Sequence, residues 1–316
     1  MKEFVISESD EGRRLDKFVM NILKNAGSSF VYKMLRKKNI VLNGAKAGGA
    51  EQIRRGDVVR IYLSDETFDK FSGPAREDTD DLSGMMPPVI YEDEDVLIVD
   101  KPSGMLTQRS SASDISLNEI CLSYVRKGLP EGVTENASFT PSVCNRLDRN
   151  TSGLVTFAKT YRGARALSNA FRDHSFGKYY RCIALGKVED REIRGRISKD
   201  PKTNTVTVSD DEGAGDKIQT IIKRISGNET LTYCEIRLIT GKTHQIRAHL
   251  AHIGHPILGD PKYGDRIVNE EYRKKYGIRS QMLICNRLTV PVDFPLVSLA
   301  GRTIETGVPA IFDKVI

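Results

Sequence analysis

The sequence predicts an α+β protein with a small N-terminal module and a larger unit containing a mixed, largely antiparallel sheet. At 316 residues the chain is long enough for about two domains. Predicted strands outnumber predicted helices without strict alternation, which favours antiparallel pairing. Residues 65–88 carry seven acids and two bases with few apolar side chains. We therefore predict a module at 12–64, an acidic flexible linker at 65–87 and a larger unit at 88–316.

The N-terminal module is predicted to contain two helices followed by strands. Apolar side chains recur at helical spacing over residues 15–22. Ser28 can cap a second helix whose other face is basic. Short strands are expected at 40–42 and 57–63, and the Asn43-Gly44 pair after the first is typical of a tight turn.

Positive charge is concentrated at the start of the chain. Residues 1–64 hold 13 Lys+Arg and 7 Asp+Glu, a net charge of +6, which equals the net charge of the whole protein. A basic segment of this kind indicates a polyanionic partner, although basic surfaces also serve solubility. The candidate phosphate-binding residues are Lys33, Arg36, Lys37, Arg54 and Arg55.

In the larger unit, apolar runs predict strands and amphipathic spacing predicts helices. The expected helices are Leu117–Lys127, Tyr161–Asp173 and Thr243–Ile253. The expected strands are Ile90–Tyr91, Val96–Val99, Leu154–Ala158, Lys178–Leu185, Thr205–Val208, Lys217–Ile225 and Leu231–Ile239.

One carboxylate, Asp148, lies between two arginines just before a polar turn. Residues 144–154 read CNRLDRNTSGL, and the apolar run that follows predicts a buried strand. A loop in this position fixes a side chain while leaving it open to a substrate, and the arginines would keep it ionised. Taken alone, an Arg-x-Asp triplet is more often a turn cap paired with a neighbour such as Arg149.

Other chemistries have weaker support in the sequence. Residues 241–243 read GKT, but position 236 is isoleucine where a nucleotide-binding loop needs its first glycine. Cys144 has no Cys-His motif beside it and is predicted to be a small buried residue. Four histidines lie within twelve residues at spacings that spread them around one helix, so no metal site is expected. We expect His244 to support a loop. The other three, His249, His252 and His255, are expected to face RNA or solvent.

Composition bears on location. The five cysteines are odd in number and show no C-x-x-C spacing, which favours a reduced, cytoplasmic protein. No segment approaches the ~18 uncharged apolar residues that a membrane span needs.

Three segments together resemble the RluA-type pseudouridine synthases, which isomerise uridine to pseudouridine within RNA. They are RLDRNTSG at 146–153, KYYRCIALG at 178–186 and TGKTHQIR at 240–247. The Lys-Pro-Ser-Gly run at 101–104 also resembles the opening segment of that family.

The resemblance assigns roles to five residues. It implies that Asp148 is the catalytic residue and that Arg247 is the cation that pairs with it. Tyr180 would stack on an extruded uracil. Arg146 would fill the gap left by base flipping, and Leu283 would pack beside the base.

The N-terminal module resembles the alpha-L RNA-binding module, first recognised in a small-subunit ribosomal protein of the S-four type. The shared features are Arg14-Leu15-Asp16, a basic second helix, Val-x-Asn-Gly at 41–44 and Gly56-Asp57. Ser28-Ser29 stands where a serine-arginine pair often opens the second helix. In the catalytic segment, Asn145 replaces a histidine that many family members carry.

We therefore predict an enzyme that isomerises specific uridines in RNA. The expected substrate is large-subunit, 23S-type ribosomal RNA or a pre-ribosomal particle, and the expected state is a monomer in the cytoplasm. No cofactor is expected, because an internal isomerisation needs no metal, nucleotide or redox group. A non-catalytic RNA-binding or ribosome-assembly factor, an enzyme acting on tRNA and a nucleoside hydrolase remain alternatives. The sequence leaves open whether Asp148 adds to the anomeric carbon or abstracts a ribose proton.

Overall fold

The N-terminal module is a small sheet covered by two helices. The computed structural model describes residues 1–72, 81–111, 113–128, 139–200, 205–210, 213 and 215–316. The first strands and helices are β1 (Lys2–Val5), α1 (Leu15–Ile22), α2 (Ser28–Arg36), β2 (Ile40–Leu42), β3 (Ala45–Lys46) and β4 (Val58–Ile61). The strand order is β1-β4-β2-β3, with every neighbouring pair antiparallel. The apolar faces of both helices pack on this sheet and form a core separate from that of the larger unit.

The predicted Asn43-Gly44 turn joins β2 to β3. Both residues have positive φ angles, 50° and 75°, and Leu42 pairs directly with Ala45. A two-residue hairpin turn requires this left-handed backbone, which asparagine and glycine adopt most readily. The turn therefore fixes the register of the hairpin.

Part of the segment predicted to be a flexible linker is folded. Asp65–Ser72 forms helix α3. The ring of Phe71 lies 4.3 Å from that of Phe30, centroid to centroid, and the Phe71 carbonyl accepts a 2.9 Å hydrogen bond from the Asn25 N–H. The linker prediction is wrong here because packing of partly buried aromatic rings against the module outweighs the acidic composition. Residues 73–80 of the predicted linker lie outside the described residues.

The larger unit is organised around one sheet, which eleven strands join within the described residues. Its strands are β5 (Val89–Glu92), β6 (Val96–Lys101), β7 (Ser142–Val143), β8 (Ser152–Ala158), β9 (Gly177–Leu185), β10 (Arg191–Asp200), β11 (Thr205–Ser209), β12 (Asp216–Gly227), β13 (Leu231–Leu238), β14 (Leu283–Thr289) and β15 (Thr303–Glu305). The helices are α4 (Leu117–Lys127), α5 (Tyr161–Arg172), α6 (Gln245–His252), α7 (Arg266–Tyr276) and α8 (Ile311–Lys314).

The strand order is β11-β10-β12-β13-β9-β14-β8-β6-β5, with β15 beside β14 and β7 beside β8. The β8–β14 pair is parallel, and the other pairs are antiparallel. This arrangement confirms the predicted α+β class with its mixed, largely antiparallel sheet. At the parallel junction Gly153 has a φ of 111°, and any side chain there would collide with the carbonyl of Cys285. Only glycine allows this close approach.

The predicted elements of the larger unit are present, with ends that differ by at most two residues. Six elements of the larger unit were not predicted, namely β7, β10, β14, β15, α7 and α8. Few apolar side chains of β10 are buried, and no residue of α7 is buried, so neither gives a clear periodic signal. Helix α7 does have end signals, because Asp265 caps its start and Gly277 ends it with a φ of 73°.

Ion pairs connect the N-terminal module to the larger unit. Arg162 on α5 lies 2.5 Å from Glu8 of the module and 2.6 Å from Asp95 of the larger unit. The guanidinium of Arg13 lies 4.7 Å from the ring centroid of Tyr161. These contacts place the module beside the start of α5.

Candidate active site

The loop that carries Asp148 joins β7 to β8 and is fixed by hydrogen bonds. The hydroxyl of Thr107 accepts from the Leu147 N–H at 3.2 Å and donates to the Leu147 carbonyl at 2.8 Å. The Thr151 N–H donates to the Asp148 carbonyl at 3.0 Å. The Asp148 side chain is 25 % exposed and lines a cavity of about 870 Å³. Its carboxylate is thus held in place yet open to a ligand.

A buried arginine connects Asp148 to a second carboxylate. Arg247 on α6 donates from Nη1 to Asp148 Oδ2 at 2.8 Å. From Nε and Nη2 it binds Asp260 in a bidentate pair at 2.7 and 2.9 Å. Burial opposes the charge on Arg247, but hydrogen bonding to Asp260 and then Asp148 outweighs it and raises the pKa of the guanidinium. Although burial alone would raise the pKa of Asp260, the guanidinium lowers it below its ordinary value.

His244 lies on the other side of Asp148. Its Nε2 is 4.0 Å from Asp148 Oδ2, and its Nδ1 is 2.9 Å from the hydroxyl of Tyr263. The backbone of His244 is left-handed, with a φ of 54°, and α6 begins only after it. Burial lowers the pKa of the imidazole. The expectation that His244 supports the loop agrees with this position.

Two further side chains that were predicted for the site face the same cavity from the centre of the sheet. Tyr180 on β9 is 6 % exposed, and Leu283 at the start of β14 is 5 % exposed. Burial, followed by the neighbouring Cys285 and Asp148, raises the pKa of the Tyr180 phenol well above its ordinary value. The phenol is therefore neutral at physiological pH, and an aromatic ring and an aliphatic side chain line the cavity near Asp148.

A fully buried lysine connects the Asp148 loop to the loop after β6. Lys101 Nζ donates to the carbonyls of Pro102, Met105 and Arg149 at 3.1, 2.9 and 3.1 Å. Burial lowers the pKa of Lys101 to about 8, against the opposing attraction of Asp148. Sequence reasoning noted the Lys-Pro-x-Gly run but gave this lysine no role.

Arg146 and Asn145 occupy different environments. Arg146 is exposed at the cavity and makes no hydrogen bond or ion pair within the described part of the chain. Asn145 accepts from the Thr156 N–H at 2.7 Å and donates to the Leu154 carbonyl at 3.3 Å. The amide thus connects the loop to β8 and has a structural role in place of the family's usual histidine.

The remaining histidines and Cys144 have structural environments. His249 is 1 % exposed and hydrogen-bonds the Thr220 hydroxyl at 3.0 Å, so the expectation that it faces RNA or solvent is wrong. The helix turns this side chain toward β12 rather than outward. His252 is exposed beside Asp210. Burial raises the pKa of the Cys144 thiol to about 12, which makes it a poor nucleophile at neutral pH.

The predicted RNA-binding residues on α2 are exposed. Lys33, Arg36 and Lys37 lie on the helix or at its end. The carbonyl of Asn39, just beyond, accepts a 2.7 Å hydrogen bond from the Tyr62 N–H. The end of α2 therefore lies beside the end of β4.

The other two predicted RNA-binding residues form a separate group. Arg54 and Arg55 are exposed in the turn that precedes the start of β4. Arg55 pairs with Glu8 at 3.2 Å, and Glu8 also contacts Arg162 of the larger unit. The structure thus places the five basic residues toward opposite ends of β4 rather than in one cluster.

Sequence reasoning missed Asp260 and Tyr263, which hold the predicted site residues. Both belong to the run Gly259-Asp260-Pro261-Lys262-Tyr263-Gly264, a polar turn that follows buried apolar residues. An acid in such a turn is a signal for a fixed carboxylate, by the reasoning that identified Asp148.

The chain is similar in sequence and in fold to known proteins. Residues 95–252, from the start of the β6 region through α6, match the model of the RNA pseudouridylate synthase family. The solved structure of human RNA pseudouridylate synthase domain containing 4 is similar in fold, with a TM-score of 0.56 and 19 % identity, and covers 71 % of this chain and 90 % of its own. Human RNA pseudouridylate synthase domain containing 1 gives a TM-score of 0.53 at 20 % identity, over 76 % of this chain and 97 % of its own.

The family match and the fold thus define an RNA-modifying isomerase. Ribosomal large subunit pseudouridine synthase C of Vibrio cholerae is 30 % identical over 281 residues, 88 % of this chain and 85 % of that protein. An uncharacterised RNA pseudouridine synthase of Bacillus subtilis is 28 % identical over 272 residues, 84 % of this chain and 83 % of that protein. The chain belongs to the RNA pseudouridine synthase family, as an RluA-type member. No helix in the described part of the chain is long and apolar enough to cross a membrane.

Proposed function

We propose that this protein converts uridine to pseudouridine in large-subunit ribosomal RNA, with Asp148 as the carboxylate that acts on a flipped-out nucleotide. The observation that carries the proposal is the buried Arg247, which holds Asp148 at 2.8 Å in a cavity also lined by Tyr180 and Leu283. We propose that the enzyme acts as a monomer, as expected from the sequence. The five cysteines are free thiols, as is usual in the cytoplasm.

The reaction exchanges one bond at the ribose C1′ for another. The N1–C1′ bond breaks and its electron pair leaves with the uracil. The base turns, C5 bonds to C1′, the C5 hydrogen departs as a proton and N1 gains a proton. Asp148 either adds to C1′ or removes a ribose proton, and both steps need an ionised carboxylate at a fixed position. Arg247 supplies that fixed position because Asp260 holds it from behind.

The other predicted residues receive the nucleotide. Extruding a base from a stack costs a few kcal/mol, which stacking on an aromatic ring offsets. Tyr180 offers that ring, and Leu283 offers an apolar contact beside it. Arg146 extends from the cavity with no partner in the described residues and would occupy the gap left in the RNA.

The catalytic role of Asp148 is tested by tritium release from RNA that contains 5-³H-uridine. Asp148→Asn keeps the size of the side chain but removes the negative charge, and we expect the rate to fall by roughly 10³-fold or more, as when a central catalytic group is lost. Asp173→Asn is the matched control, because Asp173 is an exposed carboxylate that pairs with its neighbour Arg172. Equal release by Asp148→Asn and the wild type would contradict the proposal.

The choice of ribosomal RNA rests on the relatives and on the basic N-terminal module. The Vibrio cholerae relative is named for the ribosomal large subunit, and the exposed cations of α2 suit an RNA backbone. Pseudouridine mapping in a deletion strain should show sites lost from large-subunit RNA. Wild-type protein should restore them and Asp148→Asn should not. Loss of tRNA sites alone would contradict the ribosomal assignment.

We also propose that the N-terminal module is an alpha-L RNA-binding module. Its two helices, its Asn-Gly hairpin and the exposed basic face of α2 support this assignment. The module would deliver RNA to the larger unit from a position beside α5, where Arg162 connects the two.

A further inference from the structure

Lys178 is a buried cation that faces the active-site cavity and has no partner among the residues that the structure describes. It lies on β9, is 8 % exposed and lines the same cavity as Asp148 and Tyr180. Its ammonium makes no hydrogen bond or ion pair with any residue of the described ranges. Lys101, the other buried lysine near the site, donates to three carbonyls. The two lysines therefore differ in function, since one is satisfied by the protein and the other is not.

Strand geometry places Lys178 close to where the base would stack. It is two residues before Tyr180, and side chains at that spacing point to the same side of a sheet, roughly 6 to 7 Å apart along the strand. A uracil ring on Tyr180 would thus have one edge within reach of a long lysine side chain. Gly241 lies across from the ammonium, and its lack of a side chain leaves that approach open.

Electrostatics around Lys178 favours a negatively charged ligand. An unpaired buried charge is costly, so burial lowers the pKa of Lys178. Burial, followed by Lys178 and Lys242, also lowers the pKa of His174, which lines the same cavity. This wall of the cavity is therefore positive.

We propose that Lys178 is a catalytic residue that donates a hydrogen bond to a carbonyl oxygen of the departing uracil. When the N1–C1′ bond breaks, the electron pair spreads over N1 and the two carbonyl oxygens, and the ammonium stabilises that charge. No atom is transferred to or from Lys178. The charge forms whether Asp148 adds to C1′ or removes a ribose proton, so Lys178 serves either path. This inference rests on the proposed stacking of the uracil on Tyr180.

Burial favours the base over an RNA phosphate as the ligand of Lys178. The phosphates of a flipped nucleotide stay near the surface, where exposed cations such as Arg146 and Lys199 line the same cavity. A preorganised cation inside the cavity is positioned for charge that develops on the base.

Single-turnover measurements on wild type, Lys178→Met and Lys178→Arg test the proposal. Methionine is close in volume to lysine and keeps the packing of β9. With Lys178→Met we expect the saturating rate of pseudouridine formation to fall about 100-fold, the scale for loss of one preorganised donor. The RNA dissociation constant should change less than about threefold, as expected when an interaction forms mainly in the transition state. Lys178→Arg, which keeps the charge, should recover at least about tenfold of the lost rate.

Two results would overturn the proposal. One is a saturating rate for Lys178→Met equal to that of the wild type. This result overturns the proposal even if RNA binding weakens, because weaker binding without a loss of rate indicates a phosphate contact. The other is an equal loss of rate in the methionine and arginine variants, which indicates a packing role. Lys187→Met is the control, because Lys187 is exposed beside Glu189 and Glu229. Failure of the proposed function itself would look different, because either the wild type would form no pseudouridine or Asp148→Asn would stay active.

Discussion

The active-site cavity and the surface of the N-terminal module use positive charge in opposite ways. Around the cavity, Arg247 and Lys101 are buried and bound to carboxylates or carbonyls at 2.7 to 3.1 Å. On α2, Lys33, Arg36 and Lys37 are exposed and bind no described residue. A buried charge depends strongly on each partner, whereas exposed charges act together and are screened by salt. One substitution should therefore disable the cavity, and several should be needed on the module.

The largest effect on stability is expected from Asp260→Asn. It removes the charge that holds Arg247 from behind and leaves a buried guanidinium poorly paired. We expect the free energy of unfolding to fall by about 3–5 kcal/mol, and pseudouridine formation to fall at least about 100-fold because Asp148 loses its fixed position. Urea unfolding and tritium release measure the two effects. Asp293→Asn, an exposed carboxylate, is the control, and a loss below 1 kcal/mol for Asp260→Asn would contradict the buried-pair interpretation.

The next effect is expected from Lys101→Met, which leaves three carbonyls without their shared donor. We expect the free energy of unfolding to fall by about 2–4 kcal/mol at pH 7. The difference in free energy of unfolding between the wild type and Lys101→Met should then increase with pH. Lys101 has a pKa of about 8 in the folded protein, against an ordinary value of 10.5. Between these two pH values the unfolded chain binds more protons than the folded protein. The free energy of unfolding of the wild type therefore rises with pH over this range, by about 3 kcal/mol in all. Urea unfolding of both proteins from pH 7 to 10.5 measures the difference in their free energies of unfolding. A difference that narrows with pH would contradict the lowered pKa of Lys101.

A smaller effect is expected from Tyr263→Phe. This change removes one hydroxyl, which contacts His244 and accepts a 3.0 Å hydrogen bond from the Val206 N–H. We expect about 1–2 kcal/mol less stability and a rate lowered roughly tenfold, because His244 beside Asp148 is less well fixed. Tyr276→Phe on α7, away from the cavity, is the control. Wild-type rate and stability for Tyr263→Phe would show that this hydroxyl does not matter.

The smallest effect on stability is expected from replacing Lys33, Arg36 and Lys37 together with glutamine. The free energy of unfolding should change by less than about 0.5 kcal/mol, since exposed charges contribute little. RNA binding should weaken. The plot of the logarithm of the RNA-binding constant against log salt has a negative slope, and its magnitude should decrease by about 2, the scale for three phosphate contacts. The charge-matched control replaces Arg273, Lys274 and Lys275 at the end of α7. A slope in the α2 variant equal to that of the wild type would contradict the phosphate-binding proposal for that helix.

The same contrast explains which features the sequence could predict. Asp148, Tyr180 and Arg247 each belong to a short motif, and the cavity brings the three together. Asp260 escaped prediction because its partner Arg247 is thirteen residues away and no local pattern connects them. Lys178 was visible in its motif, but a lysine on a strand gives no sign of its pairing until its surroundings are known.

Longer-range organisation was predicted less well for similar reasons. The fold class follows from local periodicity, which is why most elements of the sheet were found within two residues of their ends. The acidic composition of residues 65–72 gave no sign of a helix, because the packing of Phe71 on Phe30 joins residues about forty positions apart. Strand β14 was missed as an element, although Leu283 within it was expected to line the site.

The position of β14 also determines when the sheet can be completed during synthesis of the protein. This strand is inserted between β8 and β9 and provides the backbone hydrogen bonds that join the two halves of the sheet. It spans Leu283–Thr289, so it leaves the ribosome after every other strand of the sheet except β15. The half with Asp148 and the half with Tyr180 can each begin to fold during synthesis. Activity then has to wait until Leu283–Thr289 has been synthesised and has paired with both halves of the sheet. A nascent protein that lacks this strand is not expected to modify RNA.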